Sequence, residues 1–243
     1  RSGALLILKK IGVRSNAARE GINPSMITTD LNSIVNDPEI NIVIEVMGGI
    51  EPARTLILEA IKNKKSVITA NKALLATHGH ELFNAADAAK VDLYYEAAVA
   101  GAIPIIRSMR ESLAGDQITR VMGIVNGTTN YILTKMHEEG RAFTDVLKEA
   151  QSLGYAEADP SFDIDGVDAA HKLAILAALS FGKSLDFEGV EIDGIRHIMA
   201  ADIGQAKALG YRIRLLGMAR IDDGKLFQRV TPYLVPEGHP LAH

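Results

Sequence analysis

Cysteine is absent from the 243 residues. That excludes disulfides and thiol catalysis, and it suits a reducing compartment such as the cytoplasm. No apolar run approaches the roughly 18 residues of a membrane-spanning helix, the longest candidate being "LAILAALSF" within Leu173–Phe181. The formal net charge is −4, and no run of basic residues is interleaved with aromatics, so a nucleic-acid partner is not expected. Neither an HExxH motif nor Cys/His spacing is present, and there is no GxSxG elbow to anchor Ser/His/Asp catalysis. A starting Met and the organisation of a signal peptide are missing from "RSGALLILKKIGVRS", so a fragment of a longer chain is expected. Internal repeats and low-complexity linkers are lacking as well.

What is present is ordinary globular composition, 47% hydrophobic and 23% charged, in a length that suits one large domain or two smaller ones. Leu5 to Arg14 reads as a buried strand. Asn41–Met47, Ser66–Ala70 and Val91–Ala97 read as three more. Helical patterns fill Pro52–Lys65, with proline in the first turn, and Gly79–Lys90. Strands alternating with helices imply a parallel sheet with helical crossovers. Ile103-Pro104 closes that region. Beyond it, Gly127–Glu139, Phe143–Leu153 (with Thr144 as a possible cap) and Val167–Phe181 read as helices. "RIRLLGMARI", "DDGK" and "LFQRVTPYLV" read as a strand hairpin with an Asp-Gly turn. The fold expected is therefore α/β in residues 1–104 followed by an α+β region in residues 105–243.

Five stretches could carry chemistry. In "SVITANKALL", Asn71 and Lys72 follow a buried strand, on the edge where open parallel sheets bind ligands; a solvent-facing lysine is the alternative. In "EVMGGIEP", Gly48 and Gly49 allow close backbone approach to a ligand or make a simple turn. In "YEAAVAGAIPII", Glu96 precedes an apolar loop whose carbonyls are hard cation ligands, or whose side chains are core. In "GIVNGTTNYIL", Asn126, Thr128 and Thr129 can bind an anion at a helix start, cap that helix, or both. His78 and His80, on an expected loop, lack a third ligand, and His171 points away from its neighbour Lys172.

The fifth stretch, "GYAEADPSFDIDGVDAAHK", crowds Glu157, Asp159, Asp163, Asp165 and Asp168 ahead of Lys172. A calcium loop starting at Ser161 would put Asp163, Asp165 and Gly166 in suitable places. It would also put Asp168 at an apolar position and Lys172 where the bidentate glutamate belongs, so calcium is excluded. Asp168 and Lys172 are four apart and share a helix face, worth only about 0.3 kcal/mol if exposed. At the rim of a core such a lysine can give a proton to a carbonyl oxygen, and the acids, Glu157 foremost, can bind a substrate ammonium. A solvated acidic loop with one snorkelling lysine remains the alternative. Asp165 has no role here beyond solvation.

Taken together these blocks resemble the homoserine dehydrogenase family. The spacing from Ala150 through Gly154-Tyr155-Ala156, Asp159-Pro160, Asp163-Ile164, Gly166 and Asp168 to Lys172 looks like its signature. "EVMGGIEPA", "TANKALLA", "YEAAVAGAIPI", "LAGD" and "GIVNGTTNYILT" look like its other blocks, in its order, and the likeness runs from about Leu5 to Ala242. The resemblance implies a Rossmann-type nucleotide-binding domain lacking its first strand, joined to a catalytic and dimerisation domain. It implies reversible hydride transfer between a nicotinamide cofactor and L-aspartate 4-semialdehyde, giving L-homoserine, in threonine, methionine and isoleucine biosynthesis. Lys172 matches the proton donor and acceptor, Lys72 the lysine between nicotinamide and substrate, and Glu157 the residue that holds homoserine. Asp163 and Asp168 fall in the same polar cluster. Arg14, Gly48, Thr69 and Lys72 fall to the cofactor, and Arg14 favours NADP over NAD. Glu96, Val99, Gly101 and Ile103 match a monovalent-cation site (Na+ or K+). A homodimer or homotetramer in the cytoplasm is implied, with no nucleic-acid or membrane partner.

The chain departs from the family in lacking a GxGxxG turn and the segment expected after "PLAH", and it has no C-terminal regulatory domain. As a whole polypeptide it would be expected to bind cofactor very weakly. That departure keeps open a non-catalytic remnant, which an upstream Met-initiated strand with GxGxxG would dispose of. A different NAD(P) enzyme acting on another small amino acid is also open, and a substrate panel would separate it.

Overall fold

A computed structural model describes residue 3, residues 5–15, residue 17 and residues 19–242. The chain forms two compact units, Arg1–Tyr95 and Glu96–His243.

The first unit is built on three parallel strands, Ile42–Glu45, Ser66–Thr69 and Leu93–Tyr94, in that spatial order. Ile42 pairs with Ser66, and Val67 with Leu93. Crossover helices Ala53–Lys62 and Lys72–Ala89 make the parallel connections, as parallel strands require. They bury Ile57, Ile61, Leu74, Leu75 and Leu82 against Val67 and Leu93. The opposite sheet face, with Ile44, Val46 and Tyr94, is exposed. Lys65 is buried at the head of its strand, where its Nζ donates to the carbonyls of Asp37 and Ile40, both at 2.6 Å. Those bonds tie the loop before Ile42–Glu45 to the next strand.

Several expectations are corrected in this unit. Only Ile11–Gly12 of the Leu5–Arg14 run is a strand, paired in parallel with Ile27–Thr28, which the sequence reading did not find. Leu5 through Leu8 are exposed: an apolar run becomes a buried strand only where a neighbour and a core receive it. The second helix starts at Lys72, not Gly79. Asn71 caps it, its Oδ1 accepting from Leu74 N at 3.1 Å, and the strong helix formers of "KALLA" fill the first turn. Gly79 lies inside it, and so do His78 and His80, which are not on a loop. The fourth strand shrinks to Leu93–Tyr94, because Glu96–Ala98 turns into a 3₁₀ helix.

The second unit carries a four-stranded sheet in the order Arg120–Gly123, Tyr211–Asp222, Lys225–Pro236, Glu191–Ile192. The long hairpin closes at Asp222↔Lys225. Asp223 and Gly224 both have positive φ, 49° and 79°, as a type I′ turn requires. Helices Gly127–Glu139, Phe143–Ser152, Val167–Phe181 and Ala200–Ala208 contribute to a core of Ile132, Leu133, Met136, Val146, Leu173, Ile195, Leu215 and Val230. Nine of the 15 residues of Val167–Phe181 are buried, so it is a core helix rather than a surface one. Thr144 is not the cap: the N-cap is Ala142, and Thr144 is the second residue of the Phe143–Ser152 helix. The Ala200–Ala208 helix, the short Ser161–Ile164 turn of helix and the edge strand Glu191–Ile192 were not anticipated.

Candidate active site

Helix Val167–Phe181 begins after Gly166, which sits at φ 86°. A Cβ there would also come within 3.1 Å of Ile192 and 3.3 Å of Val230. The glycine of the acidic stretch is thus fixed by backbone conformation and close packing together. In its first turn, Asp168 is only 4% exposed. Its Oδ2 receives Lys172 Nζ at 2.6 Å. The same ammonium donates to the carbonyl of Val125 at 2.8 Å. A snorkelling surface lysine would hold its carboxylate in water, whereas this pair is largely withdrawn from it. Charge-assisted bonds of this kind are worth about 1.5–3 kcal/mol each.

Val125 and Asn126 lie between strand Arg120–Gly123 and helix Gly127–Glu139. Asn126 is the N-cap: its Oδ1 accepts from Thr129 N at 2.8 Å and Thr129 Oγ1 at 2.9 Å. Its Nδ2 donates to Asp163 Oδ1 at 2.7 Å and Asp168 Oδ2 at 2.9 Å. Only this amide orientation suits the surroundings, because the reverse would aim oxygen at two carboxylates. Thr128 Oγ1 donates to the carbonyl of Tyr155 at 2.8 Å, tying the helix start to the acidic loop.

Glu157 is exposed on that loop, which Gln151 Nε2 holds through the carbonyls of Glu157 (3.1 Å) and Ala158 (3.2 Å). Asp165, expected only to be solvated, instead takes two bonds from Arg196, at 2.8 Å each. That guanidinium holds the Asp165 carboxyl below its usual range. The acids of the stretch therefore divide: Asp163 and Asp168 meet Asn126 and Lys172, Asp165 meets Arg196, and Glu157 faces solvent.

In the first unit the organising group is Glu45, which the sequence reading did not single out. It is 4% exposed, at the carboxyl end of its strand. Its Oε1 accepts from Met47 N at 2.8 Å and Gly48 N at 3.1 Å, and its Oε2 accepts from Thr69 Oγ1 at 2.6 Å. Thr69 Oγ1 in turn accepts from Asn71 N at 3.0 Å, and Asn71 Nδ2 donates to the carbonyl of Gly49 at 2.7 Å. Gly48 and Gly49 have φ of 73° and 75°, a conformation that glycine adopts without strain. Thr69, Gly48 and Lys72, at the first position of its helix, are thus built onto one sheet edge, the edge where open parallel sheets bind nucleotides. Arg14 lies exposed, two residues beyond the paired Ile11–Gly12.

Glu96 caps the segment that follows it: its Oε1 accepts from Ile106 N at 3.0 Å and its Oε2 from Arg107 N at 2.9 Å. In the loop holding Val99, Gly101 and Ile103, Ala100 and Ala102 have φ of 49° and 69°. Alanines in that region carry roughly 1–2 kcal/mol of strain each, and such strain clusters at functional loops. Among the described residues, no group of three or more His, Asp or Glu side chains is placed to hold a metal ion. Among the described residues, no helix is long and apolar enough to cross a membrane.

A parallel sheet whose edge presents a glycine turn and a capped helix, followed in the chain by an α+β unit bearing a partly buried lysine–carboxylate cluster, defines a two-unit protein of the dinucleotide-binding class. The chain belongs to the homoserine dehydrogenase family. The family model described as "Homoserine dehydrogenase" matches residues 104–243, and the one described as "Homoserine dehydrogenase, NAD binding domain" matches residues 4–96. The chain is 52% identical over 241 residues to a homoserine dehydrogenase of Synechocystis sp., covering 97% of this chain and 56% of that protein. Against the homoserine dehydrogenase of Bacillus subtilis it is 45% identical, covering 99% and 56%. The crystal structure of a homoserine dehydrogenase from Thiobacillus denitrificans superposes with a TM-score of 0.88 at 52% identity, over 89% of this chain and 50% of that one. A hyperthermophilic archaeal homoserine dehydrogenase in complex with NADPH gives 0.75 at 34% identity, over 88% and 61%. The chain thus spans little more than half the length of the curated relatives it matches.

Proposed function

We propose that this chain is the nucleotide-binding and catalytic part of a homoserine dehydrogenase, interconverting L-aspartate 4-semialdehyde and L-homoserine with NADP or NAD in the biosynthesis of threonine, methionine and isoleucine. The observation that carries the reading is the cluster of half-buried Lys172 and Asp163 around buried Asp168 and Asn126. A bound nicotinamide supplies hydride to the aldehyde carbon, or takes it back. In the reducing direction the Lys172 ammonium gives a proton to the substrate oxygen as that oxygen gains charge. Two of its three N–H groups are held by Asp168 and Val125 among the described residues, which orients the third. Asp168 keeps the ammonium in place. Glu157, exposed and acidic on a pinned loop, suits the substrate's α-ammonium group, with Asp163 beside the cluster. The role proposed for Lys72 is to polarise the substrate oxygen.

Gly48, Thr69 and Lys72 suit the cofactor because they share the sheet edge that Glu45 organises. Arg14 suits a 2′-phosphate, which favours NADP, and the NADPH complex of the archaeal relative agrees with that choice. The carbonyls of Val99, Gly101 and Ile103, with Glu96, suit a monovalent cation, Na+ or K+. A cytoplasmic homodimer or homotetramer completes the reading.

The test is consumption of NAD(P)H with aspartate semialdehyde by the intact gene product, alongside Lys172→Met. A loss of turnover of about 100-fold or more is expected. The melting temperature is followed in parallel, because Asp168 would lose the Lys172 ammonium and the fold could respond. Turnover by a folded variant within about threefold of the parent, under ~1 kcal/mol, would remove the proton role from Lys172.

A further inference from the structure

Asn126 does more than a helix cap requires. Its backbone is extended, at φ −131° and ψ 119°, and its carbonyl accepts from Asn130 N. The two bonds to its Oδ1, from the amide and hydroxyl of Thr129, fix the plane of the side-chain amide. The other end of that plane then aims two N–H groups in set directions. One reaches Asp163 and the other Asp168, which lie 37 and 42 residues further along the chain. Asp168 Oδ2 is the same oxygen that holds Lys172. The preceding residue, Val125, holds Lys172 from its carbonyl. One dipeptide at a helix start therefore grips the lysine directly and through its counter-ion.

We propose that Asn126 is the positioning residue of proton transfer: by bridging Asp163 and Asp168 it fixes where Asp168 presents its oxygen, and so where Lys172 Nζ stands. The proposal rests on the dehydrogenase reading above. It accounts for the residue type. Aspartate or serine would cap the helix as well, but aspartate has no N–H to give, and serine has a single short O–H. A capping role alone would accept all three, whereas the bridge needs an amide held at this depth. Without the bridge, the donor that Asp163 and Asp168 share is gone, and Asp168 loses one of the bonds that set the position of the oxygen holding Lys172.

The experiment compares Asn126→Asp and Asn126→Ser in the intact gene product, with Lys172→Met as reference. Melting temperature, nicotinamide-cofactor affinity by fluorescence titration, kcat and KM are measured for each. Both variants keep an oxygen for the Thr129 amide. The expected result is a fall in kcat of about 100-fold, in the range of a mispositioned general acid, with cofactor affinity unchanged and aspartate the worse of the two. Serine is the second arm because three carboxylates together can unfold the aspartate variant. Folded variants whose kcat stays within about threefold of the parent, while Lys172→Met is inactive, would overturn the positioning role and leave the dehydrogenase reading standing. An intact parent protein that does not turn over would overturn the dehydrogenase reading, and this inference with it.

Discussion

The two units organise their functional edges with opposite chemistry. In the first, a buried carboxylate, Glu45, collects neutral donors: two backbone amides and the hydroxyl of Thr69. In the second, a buried neutral amide, Asn126, collects carboxylates, one of which also holds a lysine. The first arrangement spends its charge on shaping a turn, and it suits a part that binds without reacting. The second keeps an ammonium and two acids in place with hydrogen-bonding capacity left over, and it suits a part that moves a proton. The difference teaches that burial alone does not tell the two carboxylates apart: Glu45 and Asp168 are each 4% exposed, and what separates them is the neutral donors of the one and the Lys172 ammonium on the other.

The comparison can be broken most sharply at Glu45. Glu45→Ala leaves the amides of Met47 and Gly48 and the hydroxyl of Thr69 without their acceptor; the two amides are near solvent, whereas the buried Thr69 hydroxyl left unsatisfied costs about 1–3 kcal/mol. Cofactor affinity is expected to fall by about tenfold or more, the equivalent of ~1.4 kcal/mol, while kcat at saturating cofactor changes little. Fluorescence titration against steady-state kinetics reads the split, which should be the reverse of that for the Asn126 variants. Equal losses in kcat and affinity would merge the two roles.

A smaller effect concerns pH, and it belongs to the second unit. Burial, reinforced by the positive charge of Arg212, pushes the imidazole of His137 below its usual 6.5. A folded-state value below the unfolded one means that the unfolded chain binds the proton more readily. The stability contributed by neutral His137 is therefore full above pH 6.5 and is lost as pH falls through the lowered folded value. Thermal melts of His137→Gln should show a shallower decline below pH 6.5 than the parent protein.

The smallest effect is expected at Asp165. Its carboxyl is held down by Arg196, so the pair's contribution is present above the ordinary carboxylate range and fades as pH falls through the lowered folded value. Asp165→Asn should leave turnover within about twofold, a surface pair being a weak contributor. A loss comparable with that of Lys172→Met in the same assay would place Asp165 in the reacting cluster after all.

Local patterns read well from the chain. Helices Gly127–Glu139 and Val167–Phe181 and the Asp-Gly hairpin sit where apolar spacing and turn residues put them. Lys172 lies on one helix face with Asp168, as their four-residue spacing requires. The expected boundary at Gly79 falls inside the Lys72–Ala89 helix, because a buried glycine within a helix costs only about 1 kcal/mol. The Leu5–Arg14 run was misread because strand pairing is not a local property. Glu45 and Arg196 gave no signal, since an acid or arginine at a strand or loop end looks the same whether it meets water or a buried partner.

What the sequence by itself determined is the alternation of strands and helices in the first unit, the longer helices and the hairpin of the second, the family, and the residue types within each block, because hydrophobic period, turn chemistry and motif spacing are written in near neighbours. What only the tertiary structure decided is which polar groups share a proton or a charge. Asn126 meets Asp163 and Asp168 across 37 and 42 residues, and Arg196 meets Asp165 across 31. Those pairings depend on angles and depths fixed by packing, where a buried donor must find an acceptor that no local spacing names.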